Sequence, residues 1–240
     1  MLAFGWVLFT LLQIPILGQP EARRITSSGM ERVRDLGVQL TSGLRYIWRH
    51  QTLQSLFMFA VVTMLLGQSY QQLLPAYALG VFNVGAAGQG IMQAVVGVGA
   101  LVGSLTMAYL SRNPNRVKIQ AYTGTALGGA LMLFGLCAAF QQYVVSLAAL
   151  FLVGLTLDFN ATINQTLIML NTERALYGRV MSVYMMTFAL SGFSASAAGY
   201  LMDNVGGAVT MLSQGLLLAI FVVLMAMFNQ GYRSIHNSIS

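Results

Sequence analysis

Long apolar stretches constrain this chain more than any other feature of its sequence. Seven of them occur, at residues 1–17, 53–78, 86–110, 119–140, 143–168, 179–202 and 207–229. A helix needs about 20 apolar residues to cross a bilayer core of about 30 Å. Only 8% of the residues are charged, against roughly 25% in a soluble domain. The sequence therefore predicts an all-α, polytopic membrane protein with six full transmembrane helices and a partial or short N-terminal one.

The first apolar stretch differs from the other six. At about 1.5 Å per residue its 17 residues reach about 25 Å, which is slightly short of a full crossing. A secretory signal requires a basic residue before its apolar region. No basic residue precedes this stretch, and Arg23 and Arg24 follow it instead. We expect residues 1–17 to be the remnant of a transmembrane helix. Residues 18–52 then form a cytoplasmic linker, 53–229 the six-helix bundle and 230–240 a cytoplasmic tail.

The positions of the positive charges predict the orientation in the membrane. All 12 Lys and Arg lie between stretches one and two, three and four, five and six, or after the seventh. The opposite connections, 81–87, 141–142 and 203–207, contain none. The positive-inside rule then puts the C-terminus in the cytoplasm. Topology explains the net charge of +6, so the lipid bilayer is the expected partner and nucleic acid is not.

The linker contains a predicted amphipathic helix. Five apolar side chains recur at helical spacing with arginines between them: Val33, Leu36, Leu40, Leu44 and Ile47. Tyr46 and Trp48 near its end suit the headgroup boundary. This helix either tethers the chain to the inner leaflet or serves as a regulatory or partner-binding element.

Small residues predict close helix packing at two places. Both groups are spaced so that a helix can approach its neighbour at backbone distance: Gly97, Gly99 and Gly103 in the third stretch, and Gly192, Ser196 and Gly199 in the sixth. Such stripes occur in tight structural bundles, and in transporters they let helices rock against one another.

Two pairs of glutamines lie one helical turn apart in the second and third stretches. They are Gln68 with Gln72 and Gln89 with Gln93, and Pro75 nearby removes a backbone donor. Because an intramembrane amide needs a partner, these pairs either hydrogen-bond each other or line a watery cavity. Local unwinding of the helix is expected near Pro75.

The segment LVGLTLDFNATINQTLIML, residues 152–170, carries a carboxylate within a span. A charged Asp158 there costs at least about 2.5 to 3.5 kcal/mol on insertion scales. At 100° per residue Gln165 shares its helix face, whereas Asn160 and Asn164 lie on another, so one face can meet a cavity and the other a helix. Asp158 either handles protons or substrate, or stays protonated and hydrogen-bonds Thr162 or a nearby carbonyl.

Three stretches of the chain are similar to known transporters. They are LTSGLRYIWRHQTLQSLF (40–57), LTMAYLSRNPNRVKI (105–119) and YGRVMSVYMMTF (177–188). In these stretches the chain resembles the C-terminal half of a major facilitator superfamily transporter. Within that superfamily it resembles the prokaryotic exporters that are similar to the enterobactin exporter and to the transmembrane secretion effector proteins. It departs from that pattern at Gln51, where a proline is usual, and at Tyr177, where an arginine is usual.

The resemblance implies a function and a set of functional residues. The function is proton-coupled efflux of a small amphipathic solute, such as a siderophore or drug, by alternating access across a prokaryotic plasma membrane. The implied substrate and proton pathway comprises Gln68, Gln72, Gln89, Gln93, Asp158, Asn160, Asn164 and Gln165. The implied cytoplasmic gate comprises Arg112, Arg116, Lys118, Glu173 and Arg179. The arginines of this gate either form state-locking salt bridges or serve orientation alone.

The same resemblance implies that an N-terminal half lies outside this sequence, so the missing half or a second chain is an expected partner. No enzymatic activity and no cofactor are expected, and the single cysteine, Cys137, can form neither a disulfide framework nor a metal cluster. Two alternatives remain open at this point. The chain can be a seven-helix receptor or sensor, or a truncated chain without transport activity of its own.

Overall fold

The computed structural model describes residues 40–110 and 116–228, and it is helical there, without a β-strand. Residues 40–49 are helical. The α-helices that follow are α1 (Gln51–Gly67), α2 (Ser69–Ala76), α3 (Gly85–Leu110), α4 (Arg116–Ala139), α5 (Tyr143–Leu170), α6 (Tyr177–Val205) and α7 (Gly207–Phe228). A π-helix, Tyr77–Val81, follows α2, and a 3₁₀ turn, Arg174–Leu176, precedes α6.

Six helical stretches in this part of the chain are long and apolar enough to cross a bilayer. They are Gln51–Val81, Gly85–Leu110, Lys118–Ala139, Tyr143–Leu170, Arg174–Val205 and Gly207–Met227. This confirms the prediction of an all-α, polytopic helical bundle. The predicted helix remnant at 1–17, most of the linker and the tail at 230–240 lie outside the described residues.

The first span is a single path of helix with two irregular points. At Gln68, where φ is −99° and ψ is −20°, α1 ends and α2 begins. Pro75 lies inside α2, and the π-helix begins two residues later, closed by a bond from the Phe82 amide to the Tyr77 carbonyl at 2.9 Å. The expected irregularity near Pro75 therefore takes the form of a wider helical turn, which re-satisfies backbone groups within the span.

Glycines allow a close helix contact between α3 and α5. A methyl group at Gly99 or Gly103 of α3 would overlap the backbone carbonyl of Phe151 or Leu155 in α5. Gly154 of α5 lies in the same way against the backbone of α3. The small-residue prediction is confirmed for Gly99 and Gly103, because the two backbones touch where side chains are absent.

The small residues of α6 are placed differently. A Cβ atom at Gly192 or Gly199 would meet nothing within 4 Å among the described residues, and the same is true of Gly97 in α3. Ser196 is exposed, and its hydroxyl donates to the Gly192 carbonyl of its own helix at 3.1 Å. The stripe on α6 therefore faces outward in this part of the chain.

Two buried polar contacts join the first span to α7. The Ser69 hydroxyl donates to Gln214 Oε1 at 3.0 Å, just after the break at Gln68. The Tyr77 hydroxyl donates to the Gly207 carbonyl at 2.7 Å. Since these contacts sit on either side of Pro75, α7 holds the irregular half of the span in place.

Residues 40–49 pack against the beginning of α6. A Cβ at Gly43 would stand 2.8 Å from the Arg179 carbonyl oxygen, and Ile47 is 2% exposed. Leu44 and Trp48, each one position further along the helix, are exposed. The described half of the predicted amphipathic helix is thus helical and two-sided, with Ile47 in the core of the bundle.

Candidate functional site

A cavity of about 300 Å³ lies between the first span, α3, α5 and α6. Its walls combine polar side chains with aromatic and methionine side chains at the middle of the spans. Because a polar cavity inside apolar helices is the setting in which intramembrane acids and amides act, we treat it as the candidate functional site.

Helix α5 presents its polar face to this cavity. Asp158, Thr162 and Gln165 all line it, as their helical spacing predicts, and Asp158 is half-buried. Among the described residues Asp158 forms no hydrogen bond and no ion pair, and the contemplated hydrogen bond to Thr162 is absent from that part of the chain. The carboxyl group of Asp158 therefore has no polar partner among the described residues and faces the cavity.

The second polar face of α5 is joined to α4. Gln120 Nε2 donates to Asn164 Oδ1 at 2.8 Å, and Asn160 Nδ2 lies 3.4 Å from both the Gln120 carbonyl and Thr123 Oγ1. Gln120, Asn160 and Asn164 are at most 1% exposed. Both asparagines border the cavity, but their amides are engaged with α4, which is the arrangement of interhelical glue.

Gln120 and Thr123 were not among the residues predicted from the sequence. Gln120 lies at the beginning of the fourth apolar stretch, where a single polar residue gives no signal of its own. Only the spacing of Asn160 and Asn164 signalled that a neighbouring helix had to supply polar partners.

Two residues that border the cavity, Thr63 and Tyr70, carry buried hydroxyls. Thr63 Oγ1 and Tyr70 Oη have no hydrogen-bond partner among the described residues, although Gln71 lies near Tyr70. Thr63 is 6% exposed and Tyr70 is fully buried. Unpaired buried hydroxyls are rare because each lost hydrogen bond is costly. Sequence reasoning missed both, since a single Thr or Tyr in an apolar run is unremarkable.

The four predicted glutamines of the second and third stretches are not brought together. Gln68 lines the cavity, and its Nε2 donates to Gln71 Oε1 at 3.0 Å. Gln72 and Gln93 are exposed and Gln89 is half-exposed, and none of these three lines the cavity in the described structure. The structure places only Gln68 with Asp158.

The predicted cytoplasmic gate is partly visible. Arg112 and the side chain of Arg116 lie outside the described residues. Lys118, Glu173 and Arg179 are exposed, and no ion pair joins these three in the part of the chain that is described. Arg179 Nη1 instead reaches the Ser42 hydroxyl at a long 3.5 Å.

The rest of the cavity wall is apolar and without positive charge. Phe59 and Met64 contribute from α1, and Tyr184, Met185 and Phe188 from α6. No described Lys, Arg or His lines the cavity, and no group of three or more His, Cys, Asp or Glu in the described residues could hold a metal ion. Asp158 is thus the sole Asp, Glu, Lys, Arg or His among the lining residues that the structure describes.

Six apolar spans, four of which line a polar cavity with an unpaired acid, define a polytopic helical membrane protein of the kind that moves or senses small solutes. A family model described as Major Facilitator Superfamily matches residues 1–196. The chain belongs to the Major Facilitator Superfamily, a family of membrane transporters. This supports a transporter and gives no support to the seven-helix receptor alternative. Neither a curated protein nor a solved structure matches the chain.

Proposed function

We propose that this chain forms part of a secondary active transporter that exports a small amphipathic solute, such as a siderophore or drug, in exchange for protons. It acts in the plasma membrane of a prokaryotic cell, with its C-terminus in the cytoplasm. Two six-helix halves rock about a midplane site and expose it alternately to the two sides. The solute and the proton are then its partners, together with the second half.

The observation that supports this proposal is the placement of Asp158. An ionised carboxylate within a span costs at least about 2.5 to 3.5 kcal/mol, and no described side chain offsets this. A proton or a bound solute in the cavity can offset it. The other titratable groups among the described lining residues are Tyr70 from α2 and Tyr184 from α6, and α3 supplies none.

The exchange follows from one shared group. With the cavity open outward, Asp158 takes up a proton and the solute leaves. With the cavity open inward, the proton leaves to the cytoplasm and the carboxylate is again available to the solute. Because proton and solute occupy the acid in alternation, the proton gradient drives export.

A second half is part of the proposal because one helix that borders the cavity has an uncovered face of small residues. In α6, which borders the cavity, small residues at Gly192 and Gly199 face outward, where a lipid-facing surface ordinarily carries large apolar side chains. We propose that the missing N-terminal half, or a second chain, covers this face and completes the cavity. The chain alone is then inactive in transport.

The exposed charged side chains of the predicted cytoplasmic gate fit a gate that closes against this second half. Glu173 and Arg179 are exposed, and Lys118 is as well. We propose that they, with Arg112 and Arg116, form salt bridges in one state of the transport cycle, across the two halves.

The test is transport by everted membrane vesicles from cells expressing the whole natural protein. A pH-sensitive dye reports proton release when a cationic, neutral or catecholate test solute is added to energised vesicles. We expect Asp158→Asn to abolish solute-driven proton release while the protein still reaches the membrane, and Asp158→Glu to retain part of it. Thr156→Val serves as a control, because Thr156 lies on the same helix and bonds its own backbone at 2.7 Å. Unchanged exchange in Asp158→Asn would refute the carrier role.

A further inference from the structure

The short helix at residues 40–49 has three stripes of side chains, and one stripe packs against the bundle. Within each stripe two residues lie four positions apart, which places them on the same side of a helix. The buried pair is Gly43 and Ile47, the exposed apolar pair is Leu44 and Trp48, and the exposed basic pair is Arg45 and Arg49.

The two exposed pairs are neighbours and together form a surface that we call the outer face. Trp48 is 66% exposed and Leu44 is 47% exposed, although burying such side chains is favourable. Residues 40–49 contain no Asp or Glu, and no described residue forms an ion pair with Arg45 or Arg49. The outer face therefore has neither an apolar cover nor a counter-charge among the described residues.

The outer face lies directly beside a membrane span. Only His50, which is extended at φ −111° and ψ 107°, separates the short helix from α1. The span that begins with α1 has 31 residues, and at about 1.5 Å per residue it is about 46 Å long. A bilayer measures about 40 to 45 Å when its headgroup regions are included. The start of this span, and with it the outer face, therefore lies at the level of the lipid headgroups.

The bundle holds the short helix in place. A Cβ atom at Gly43 would stand 2.8 Å from the Arg179 carbonyl oxygen of α6, and Ile47 belongs to the same packed cluster as Tyr184. Arg179 Nη1 also reaches the Ser42 hydroxyl. Because the outer face is pre-organised on the bundle, a partner can bind it without first paying to order the helix.

We propose that the outer face binds the surface of a bilayer that contains anionic phospholipid, and that it selects this lipid over zwitterionic lipid. Leu44 and Trp48 enter the boundary between headgroups and acyl chains. The guanidinium groups of Arg45 and Arg49 bind lipid phosphates. This goes beyond a tether, because apolar contact is enough for a tether and the basic pair adds a choice of lipid by charge.

An anionic bilayer matches both parts of the outer face at the depth where this face lies. Its headgroup boundary accepts an indole ring and a leucine side chain. Its negative charge attracts the two arginines, by about fivefold in binding constant for each. A protein segment would have to bring both apolar and acidic side chains to the same depth, whereas the bilayer supplies both properties by its composition.

The experiment follows the fluorescence of Trp48 in lipid vesicles. A Trp6→Phe change leaves Trp48 as the single tryptophan of the chain. The purified full chain is reconstituted into phosphatidylcholine vesicles in which one fifth of the lipid is phosphatidylglycerol. Bromine atoms near the headgroup end of an acyl chain quench tryptophan on contact. One sample carries them on the phosphatidylglycerol, and the other carries them on an equal amount of phosphatidylcholine.

The comparison of the two samples gives the lipid preference beside Trp48. We expect phosphatidylglycerol to bind there at least about fivefold more tightly than phosphatidylcholine at low salt. The preference should shrink in about 1 M salt, because the attraction between exposed charges is then screened.

Paired substitutions test the two arginines. Changing both Arg45 and Arg49 to glutamine should bring the two lipids to about equal binding, because the positive charge is lost. Changing both to lysine is the matched control, which keeps the charge and should keep most of the preference. Both side chains are exposed, so the midpoint of unfolding in SDS should stay unchanged. A lower midpoint in the glutamine pair would show that the arginines stabilise the bundle and would count against the assignment.

The inference fails if neither brominated lipid quenches Trp48, since another segment or a second chain then covers the outer face. It also fails if both lipids quench Trp48 equally, or if the preference survives in the glutamine pair. The measurement uses no solute and no ion gradient, so it is separate from the test of transport. A protein that exports solute but shows no lipid preference refutes this inference alone.

Discussion

Replacing Gly103 by alanine tests whether α3 and α5 touch through their backbones. An added methyl group would overlap the Leu155 carbonyl oxygen and stand 3.1 Å from its carbonyl carbon. Backbone cannot yield as a side chain does, so the two helices must separate. Gly97 on the same helix provides the matched control, because an added methyl there meets nothing within 4 Å among the described residues.

The expected magnitude combines two opposing effects. Alanine is favoured over glycine in a helix interior by about 1 kcal/mol, and this applies at both positions. Overpacking costs typically about 1 to 3 kcal/mol and applies only to Gly103→Ala. We therefore expect Gly97→Ala to raise the free energy of unfolding. The free energy of unfolding of Gly103→Ala should be about 1 to 3 kcal/mol lower than that of Gly97→Ala.

The single cysteine of the sequence makes the measurement direct. Cys137 is 5% exposed, so a fluorogenic maleimide reacts with it only as the bundle opens during an SDS titration of the purified chain. The two variants are compared with the wild type by their midpoints. Equal midpoints for Gly97→Ala and Gly103→Ala would refute the close contact.

Two further changes test polar contacts between spans. Tyr77→Phe removes the 2.7 Å bond to the Gly207 carbonyl and should lower stability by about 0.6 to 1.5 kcal/mol, whereas Tyr109→Phe, at an exposed ring, should not; equal midpoints would contradict this. Gln120→Leu removes the donor to Asn164 Oδ1 and should cost about 1 to 3 kcal/mol. Adding Asn164→Leu should recover part of that loss, and strictly additive losses would show that the two side chains are not coupled.

The spans and the polar face of α5 could be predicted from the sequence. Apolar length is a sufficient signal for a membrane helix because every backbone polar group is then satisfied within the segment. The helical period alone separates Asp158 and Gln165 from Asn160 and Asn164. The structure shows these two faces meeting a cavity and a helix, respectively.

The cavity's other members could not be predicted in this way. Spacing along one helix does not say which neighbour its face meets, and so Gln72, Gln89 and Gln93 were grouped with a cavity that they do not line in the described structure. Thr63 and Tyr70 become notable only when the packed structure shows that nothing satisfies them. Contacts between helices decide which side chains line the cavity and which of them lack a partner.

The central claim is that Asp158, which lies within a membrane span, faces a water-accessible cavity. Its most direct test is labelling of an Asp158→Cys variant by a membrane-impermeant maleimide, in a Cys137→Ser background and in native membranes. Asn160→Cys is the control, since Asn160 lies two residues away on the same helix and is 1% exposed. We predict rapid labelling at position 158 and slow labelling at position 160. Equal rates at the two positions, or no labelling at 158, would contradict the account.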